Sequence, residues 1–323
     1  MRSRASSGGL GEARRPGIDR RAVLRGVAAG FATLSLGAVA RRVRAADALA
    51  ATPVASGLTL LTGAGGNILV LATDAGKVLV DGGAAAFSDQ VRRALDALQG
   101  GPVAALFDTH WHLDQVGSNE ALGAAGATIY AHAKTRQRLG TGYYLRDEDR
   151  YEPPLAAAGR PTKTFHTDGT ATVGNRRIDY GYLLEAHTDG DIYVFFPDVN
   201  VVAVGGALSP RSDPEFDWFG GGWLGGRLDA LARLLALGDK ETRFVPSVGP
   251  VVGRVQVQAE LDTMAKLFDR MVEHVRLGET AADMQKAGVL DGLGRTFEDP
   301  AKLLYDLHKG FWAHHNTLTH DIV

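Results

Sequence analysis

Apolar residues recur along the chain in two rhythms. Short apolar runs bounded by glycine turns predict buried strands, and repeats at three-to-four spacing predict amphipathic helices. Residues 58–61, 67–72 and 77–80 form three such runs, broken by Gly63-Ala64-Gly65-Gly66 and closed by Asp81-Gly82-Gly83. Residues 88–98 read as a helix through Val91, Leu95 and Leu98, and residues 103–107 as a buried strand. A short helix follows at 119–122, a strand at 127–130 and a helix at 132–139. Residues 140–163 carry Gly, Pro, many charges and Tyr143, Tyr144 and Tyr151, without a clear period. A loop of that length is uncommon in a compact domain unless it is functional or mobile. It is read either as a lid or as a solvated insertion. Strands resume at 170–173, 177–183, 192–196 and 201–204, with one more at 242–245. Helices are expected at 224–237, 255–275 and 300–314. Two strand-rich blocks, each ending in helices, make a mixed α/β (α+β) protein.

Composition narrows the chemistry. The chain has 323 residues, 45% of them hydrophobic, enough for a large core in one or two domains. It has no cysteine, which excludes disulfides, thiolate ligands and a cysteine nucleophile. Any transition metal must then be held by His, Asp or Glu. No apolar stretch reaches the roughly 20 residues of a membrane span. The net charge of −2 hides an asymmetry. Residues 1–45 hold ten of the 35 Lys/Arg and two of the 37 Asp/Glu, so the rest carries −10. A domain this acidic, with no basic run, is not expected to bind nucleic acid.

The basic excess lies in a recognisable layout. Arg20 and Arg21 precede an apolar stretch from 26 to 40, followed by Arg41, Arg42 and Arg44 and then alanine-rich sequence. Basic start, short apolar middle and small residues at the cut describe a cleaved export signal. The paired arginine resembles a Tat signal, which implies the Tat export machinery as a partner and a periplasmic or otherwise exported product. Residues 1–50 are therefore assigned to signal and linker, with cleavage after Ala45 or Ala50, and residues 51–323 to the working domain.

The candidate chemistry begins just past the strand at 103–107, in Asp108-Thr109-His110-Trp111-His112-Leu113-Asp114-Gln115. In extended backbone, residues i and i+2 point to one side. His110 and His112 can therefore aim at one ion, and Asp114 continues the alternation. A third histidine stands in Glu185-Ala186-His187-Thr188-Asp189-Gly190-Asp191, a tight turn between two strands. Three neutral imidazoles plus water form the open tetrahedral arrangement of a catalytic zinc site. His132 and His166 are read as structural. His274, His308, His314, His315 and His320 are read as exposed in the helical tail. Asp81 and Asp191 are expected to brace the loops beneath the histidines. Trp218 and Trp223 could line a pocket mouth or pack in the core.

The run from Thr109 to Gln115 resembles the His-x-His-x-Asp-His signature of the metallo-β-lactamase superfamily. Val80-Asp81-Gly82, the His187 segment, Phe196-Pro197-Asp198 and Val245-Pro246 fall in the matching order, so the resemblance covers about residues 57–252. It implies a four-layer αβ/βα sandwich. It also implies a first metal on His110, His112 and His187, and often a second. The second site's usual ligands are altered: Gln115 replaces the next histidine, Gly206 stands where a bridging Asp is expected, and Val248 where a late histidine is expected. The resemblance therefore implies one zinc per chain. Asp114 would orient water or act as base, Gln115 would hydrogen-bond water or substrate, and an ester, lactone, amide or related bond in a small molecule would be hydrolysed. The losses leave open a catalytically attenuated metal- or small-ligand-binding protein on the same scaffold. Gly206 argues against the superfamily's iron dioxygenases, and the acidic domain against its nucleases.

Overall fold

A computed structural model describes residues 49–145 and 149–318. Of the expected signal and linker at 1–50, residues 1–48 lie outside the described residues. Two sheets carry the chain. The first has the order β1 (Ala50–Ala55), β2 (Leu58–Thr62), β3 (Ile68–Thr73), β4 (Gly76–Val80), β5 (Val103–Phe107), β6 (Thr128–His132) and β9 (Lys163–Phe165). Its first four strands pair antiparallel and the last three join in parallel. The second has the order β10 (Gly169–Val173), β11 (Arg176–Tyr182), β12 (Ile192–Phe196), β13 (Val201–Gly205), β14 (Arg243–Pro246) and β15 (Val252–Gly253). Within it only β13 and β14 run parallel.

Three apolar layers hold the sheets. Leu58, Leu69, Leu71, Val78, Phe107, Ile178, Val194, Val201 and Ala203 meet between them. Alternate residues of the same strands, Ile68, Val70, Leu79 and Leu106, face outward against Val91 and Leu95 of the helix Ser88–Ala97. Val202, Val204 and Phe244 face outward from the second sheet. They meet Leu231 and Leu234 of the helix Leu224–Leu235, and Met264, Leu267 and Met271 of the helix Arg254–Arg276. Helix, sheet, sheet, helix is the four-layer sandwich expected. Because the central strands are covered on both faces, their sequences read as unbroken apolar runs. Among the described residues, no helix is long and apolar enough to cross a membrane.

Three expectations need correction. The described residues of 140–163 are not one long structureless loop. They fold as a hairpin of β7 (Tyr143–Leu145) with β8 (Arg150–Glu152), a turn of 3-10 helix at Ala157–Gly159, and edge strand β9. Asp114 does not continue an extended alternation from His112. His112 is the last extended residue (φ −66°, ψ 144°), and a single helical turn, Leu113–Val116, begins after it. The tail histidines are not simply exposed: His274 pairs with Glu279, His308 accepts from Trp312, and His314 stacks on Trp223 at 3.6 Å. The side chain of His315, and His320, lie outside the described residues. Strands β1 and β15 and the helix Ala281–Lys286 are short elements with no strong period, and the pattern missed them.

Candidate metal centre

The C-terminal ends of β4 and β5 and the turn between β11 and β12 converge where the two sheets meet. Asp81 follows β4 in a left-handed conformation (φ 63°), which Asp tolerates better than most residues. Its carboxylate accepts from the Thr109 amide and hydroxyl, each at 2.8 Å. Burial pushes this carboxyl up to about 8, against the pull of the two Thr109 bonds. Asp191 does the same work under His187, accepting from the amides of His187 and Thr188 and from the Thr188 hydroxyl.

Fixed in this way, His110, His112 and His187 each present one ring nitrogen to a common point, with these atoms within 4.8 Å of one another. The partner of each other nitrogen sets the tautomer. The Thr109 hydroxyl donates to Asp81, so at 3.0 Å it accepts from His110 Nδ1 and leaves Nε2 free. His112 Nε2 donates to Asp217 Oδ2 at 3.1 Å, leaving Nδ1 free. His187 Nδ1 donates to the Glu215 carbonyl at 3.0 Å, leaving Nε2 free. A hydroxyl, a carboxylate and a carbonyl behind three imidazoles is the outer shell that orients histidine metal ligands.

The free nitrogens of His112 and His187 are 3.1 Å apart. The edge of a tetrahedron with metal–nitrogen bonds of about 2.0 Å is about 3.3 Å, so this pair is spaced to share one tetrahedral ion. The donor set fits zinc by the same chemistry: imidazole nitrogens, no thiolate, second nitrogens already engaged. Electrostatics agrees. Burial drives His110 well below the usual histidine range, and charge on His112 and His187 adds to this, so its imidazole is neutral. Burial also opposes charge on His112. The Asp217 hydrogen bond and the charges of Asp217, Glu215 and Asp114 outweigh it and raise its pKa.

Asp114 and Gln115 sit beside this centre. Gln115 is fully buried and donates from Nε2 to Asp114 Oδ2 at 2.8 Å. Both line the small cavity that also holds His110, His112 and His187, as do Gly206 and Val248. A larger cleft of about 530 Å³ opens next to it and shares His112, Asp114 and Glu215. Tyr143, Tyr144 and Trp218 line the cleft, whereas Tyr151 points to solvent. Trp223 instead packs against Phe268 and Phe311 under the helical layer. His132 is buried and stacks on Tyr182, a structural role.

A model of the metallo-beta-lactamase superfamily matches residues 61–263. The chain belongs to the metallo-beta-lactamase superfamily. The matched span contains all three histidines. The metallo-beta-lactamase IND-1 of Chryseobacterium indologenes is 24% identical over 165 residues, 51% of this chain. The match spans 63% of that relative's length. A metallo-beta-lactamase from Pontibacter korlensis superposes over 67% of this chain and 99% of its own, at 22% identity and a TM-score of 0.55. The inverting sec-alkylsulfatase Pisa1 from Pseudomonas sp. covers 83% of this chain and 51% of its own, at 16% identity and a TM-score of 0.63. At these identities the solved structures show the fold.

Within the superfamily scaffold, the segment 215–223 supplies parts that the sequence reading passed over. Glu215 and Asp217 orient two of the three histidines. The Asp217 amide donates to the His187 carbonyl at 3.0 Å, and Trp223 N to Glu185 O at 3.0 Å. A Cβ on Gly222 would lie 2.0 Å from the His187 carbonyl, so only glycine lets the segment cross the turn here. The glycine run 220–222 was the available signal. No spacing rule ties Asp217 to a histidine 105 residues earlier.

Proposed function

We propose that this chain is an exported, single-zinc hydrolase that cleaves an ester, lactone or amide bond in a small molecule. The observation that supports this best is the set of three histidines with every second nitrogen engaged and every first nitrogen aimed at one point. A divalent ion held there supplies Lewis acidity towards a substrate carbonyl and makes water a usable nucleophile near neutral pH. The rest falls to the chain's own groups. Asp114 lies at the junction of the small cavity and the cleft, where one oxygen can take a proton from the attacking water. Its other oxygen, Oδ2, is tied by Gln115, which keeps the carboxylate from rotating away. The water oxygen bonds to the carbonyl carbon, the bond to the leaving oxygen or nitrogen breaks, and the proton held at Asp114 passes to the leaving group.

One zinc rather than two is supported by the residues around Asp114. Gln115 offers an amide, Gly206 offers no side chain, and Val248 is apolar and 52% exposed. The same losses keep a second reading in play, a metal- or ligand-binding protein without turnover. Zinc-loaded protein screened against ester, lactone, thioester, β-lactam and phosphoester reporters separates the two. The hydrolase reading expects turnover that disappears in His112→Ala together with the metal. No metal-dependent turnover on any reporter would leave the binding reading. Export rests on Arg20, Arg21 and the apolar stretch after them, and a shortened chain in the periplasmic fraction is the expected result.

A further inference from the structure

The wall of the large cleft has a composition that bears on the substrate. Trp111, Tyr143, Tyr144, Phe216, Trp218 and Phe219 line it. Trp111 and Tyr143 meet edge to face at 5.0 Å, and Trp218 and Phe219 at 5.8 Å. Six aromatic side chains contribute to the lining of about 530 Å³, some of them mostly buried, and make a site for a flat or apolar group of drug-like size.

The charges point the same way. Three cations line the cleft among the described residues, and each is bonded to a carboxylate of this chain. Arg138 holds Asp189 at 2.8 Å, and Asp189 also accepts from the Trp111 indole at 3.2 Å. Arg150 pairs with Glu152, and Lys302 with Asp306. Their charge is thus largely cancelled within the wall. On the metal side stand Asp114, Glu215 and Asp217. A dication with three neutral imidazoles facing three carboxylates leaves that side net negative. Among the described residues, an anionic group entering the cleft therefore meets repulsion with no surplus cation to offset it.

We infer that the cleft takes the uncharged aromatic or apolar part of the substrate, and that molecules carrying a carboxylate, sulfate or sulfonate on that part are disfavoured. This deepens the hydrolase reading by naming its substrate class: neutral aryl or apolar esters, lactones or amides. Hydrolysis of an ester releases a carboxylate, and the same negative wall then favours its departure.

Binding without turnover tests the inference apart from the activity. Methyl 4-nitrophenyl sulfone is neutral, and 4-nitrobenzenesulfonate is its anionic isostere. Neither is a hydrolase substrate, and the nitroaryl group quenches tryptophans beside it. Titrated into the zinc-loaded full chain, the sulfone should quench saturably and bind at least tenfold tighter than the sulfonate. Phe219, 54% exposed at the rim, and Tyr144 can be shortened with little risk to the core. Phe219→Ala and Tyr144→Ala should each weaken the sulfone at least threefold. Glu215→Gln keeps the carbonyl that holds His187 and removes one wall charge, so the sulfonate should gain at least threefold per zinc-loaded chain, with zinc content measured on the same samples. Equal or tighter binding of the sulfonate by the unmodified protein, or sulfone affinity indifferent to both aromatic truncations, overturns the inference. A protein that hydrolyses none of the reporters and yet prefers the sulfone refutes the hydrolase reading and leaves the cleft assignment standing.

Discussion

At the scale of single residues, the three imidazoles differ in what prepares them for a metal. His110 is kept neutral by burial and by its histidine neighbours. His112 is held against a carboxylate and keeps its proton to higher pH than an ordinary histidine. A metal must displace that proton, so binding releases it and affinity depends on pH. Affinity is expected to rise with pH up to the raised His112 pKa and to level off above it. Asp217→Asn removes the charge that raises this pKa. In that variant the dependence should move to lower pH, and affinity at high pH should fall about 10–100-fold, the usual cost of losing an outer-shell partner. Chelator competition across the pH range reads both effects. Identical curves for the two proteins would mean that Asp217 does not act on His112. The cluster of three histidines was legible from the sequence because their spacing and turn residues are local. Asp217, Glu215 and Thr109 were not, because an outer-shell partner is defined by where it arrives in space. Thr109 stood within the motif, but a threonine next to a histidine has many ordinary explanations.

At the scale of elements, the centre depends on how closely the end of β13 approaches His187. Arg227, fully buried, donates to the Gly206 carbonyl at 2.9 Å and is itself held by Glu260 and Ser209. This pins Gly206 against the His187 ring: a Cβ there would lie 2.2 to 2.7 Å from three ring atoms. Gly206 is thus more than a missing ligand. With His187 in this position no side chain fits at 206, so a bridging carboxylate and this ring placement exclude each other. Gly206→Ala is expected to displace His187, to lower zinc affinity at least tenfold, and to cost about 1–3 kcal/mol of stability through overpacking. Unchanged zinc affinity in the alanine variant would contradict the packing described. The sequence showed the absence of a carboxylate at 206 but not the steric reason, which needs the distance to an element 19 residues away. The short helix Leu113–Val116 was missed for a related reason: four residues cannot display a helical period, and the alternation of His110, His112 and Asp114 imitates a strand.

At the scale of the whole molecule, the order of strands and helices was legible because each layer buries a long apolar run. The pairing of layers was not, since strands such as Val103–Phe107 are covered on both faces and lose the alternation that would identify an inner side. The edges were the least legible. β1, β9 and β15 have few buried residues, and their sequences carry turn-like or charged composition. The superfamily match restores what periodicity lacks, and the sandwich places three histidines from two sheets at one seam. The central claim is that this seam holds a single ion, the remaining half of a two-metal arrangement. Metal content of the purified protein after saturation with zinc and removal of excess measures it directly. The account predicts one zinc per chain, lost in His112→Ala; two tightly held ions per chain, or none, would contradict it.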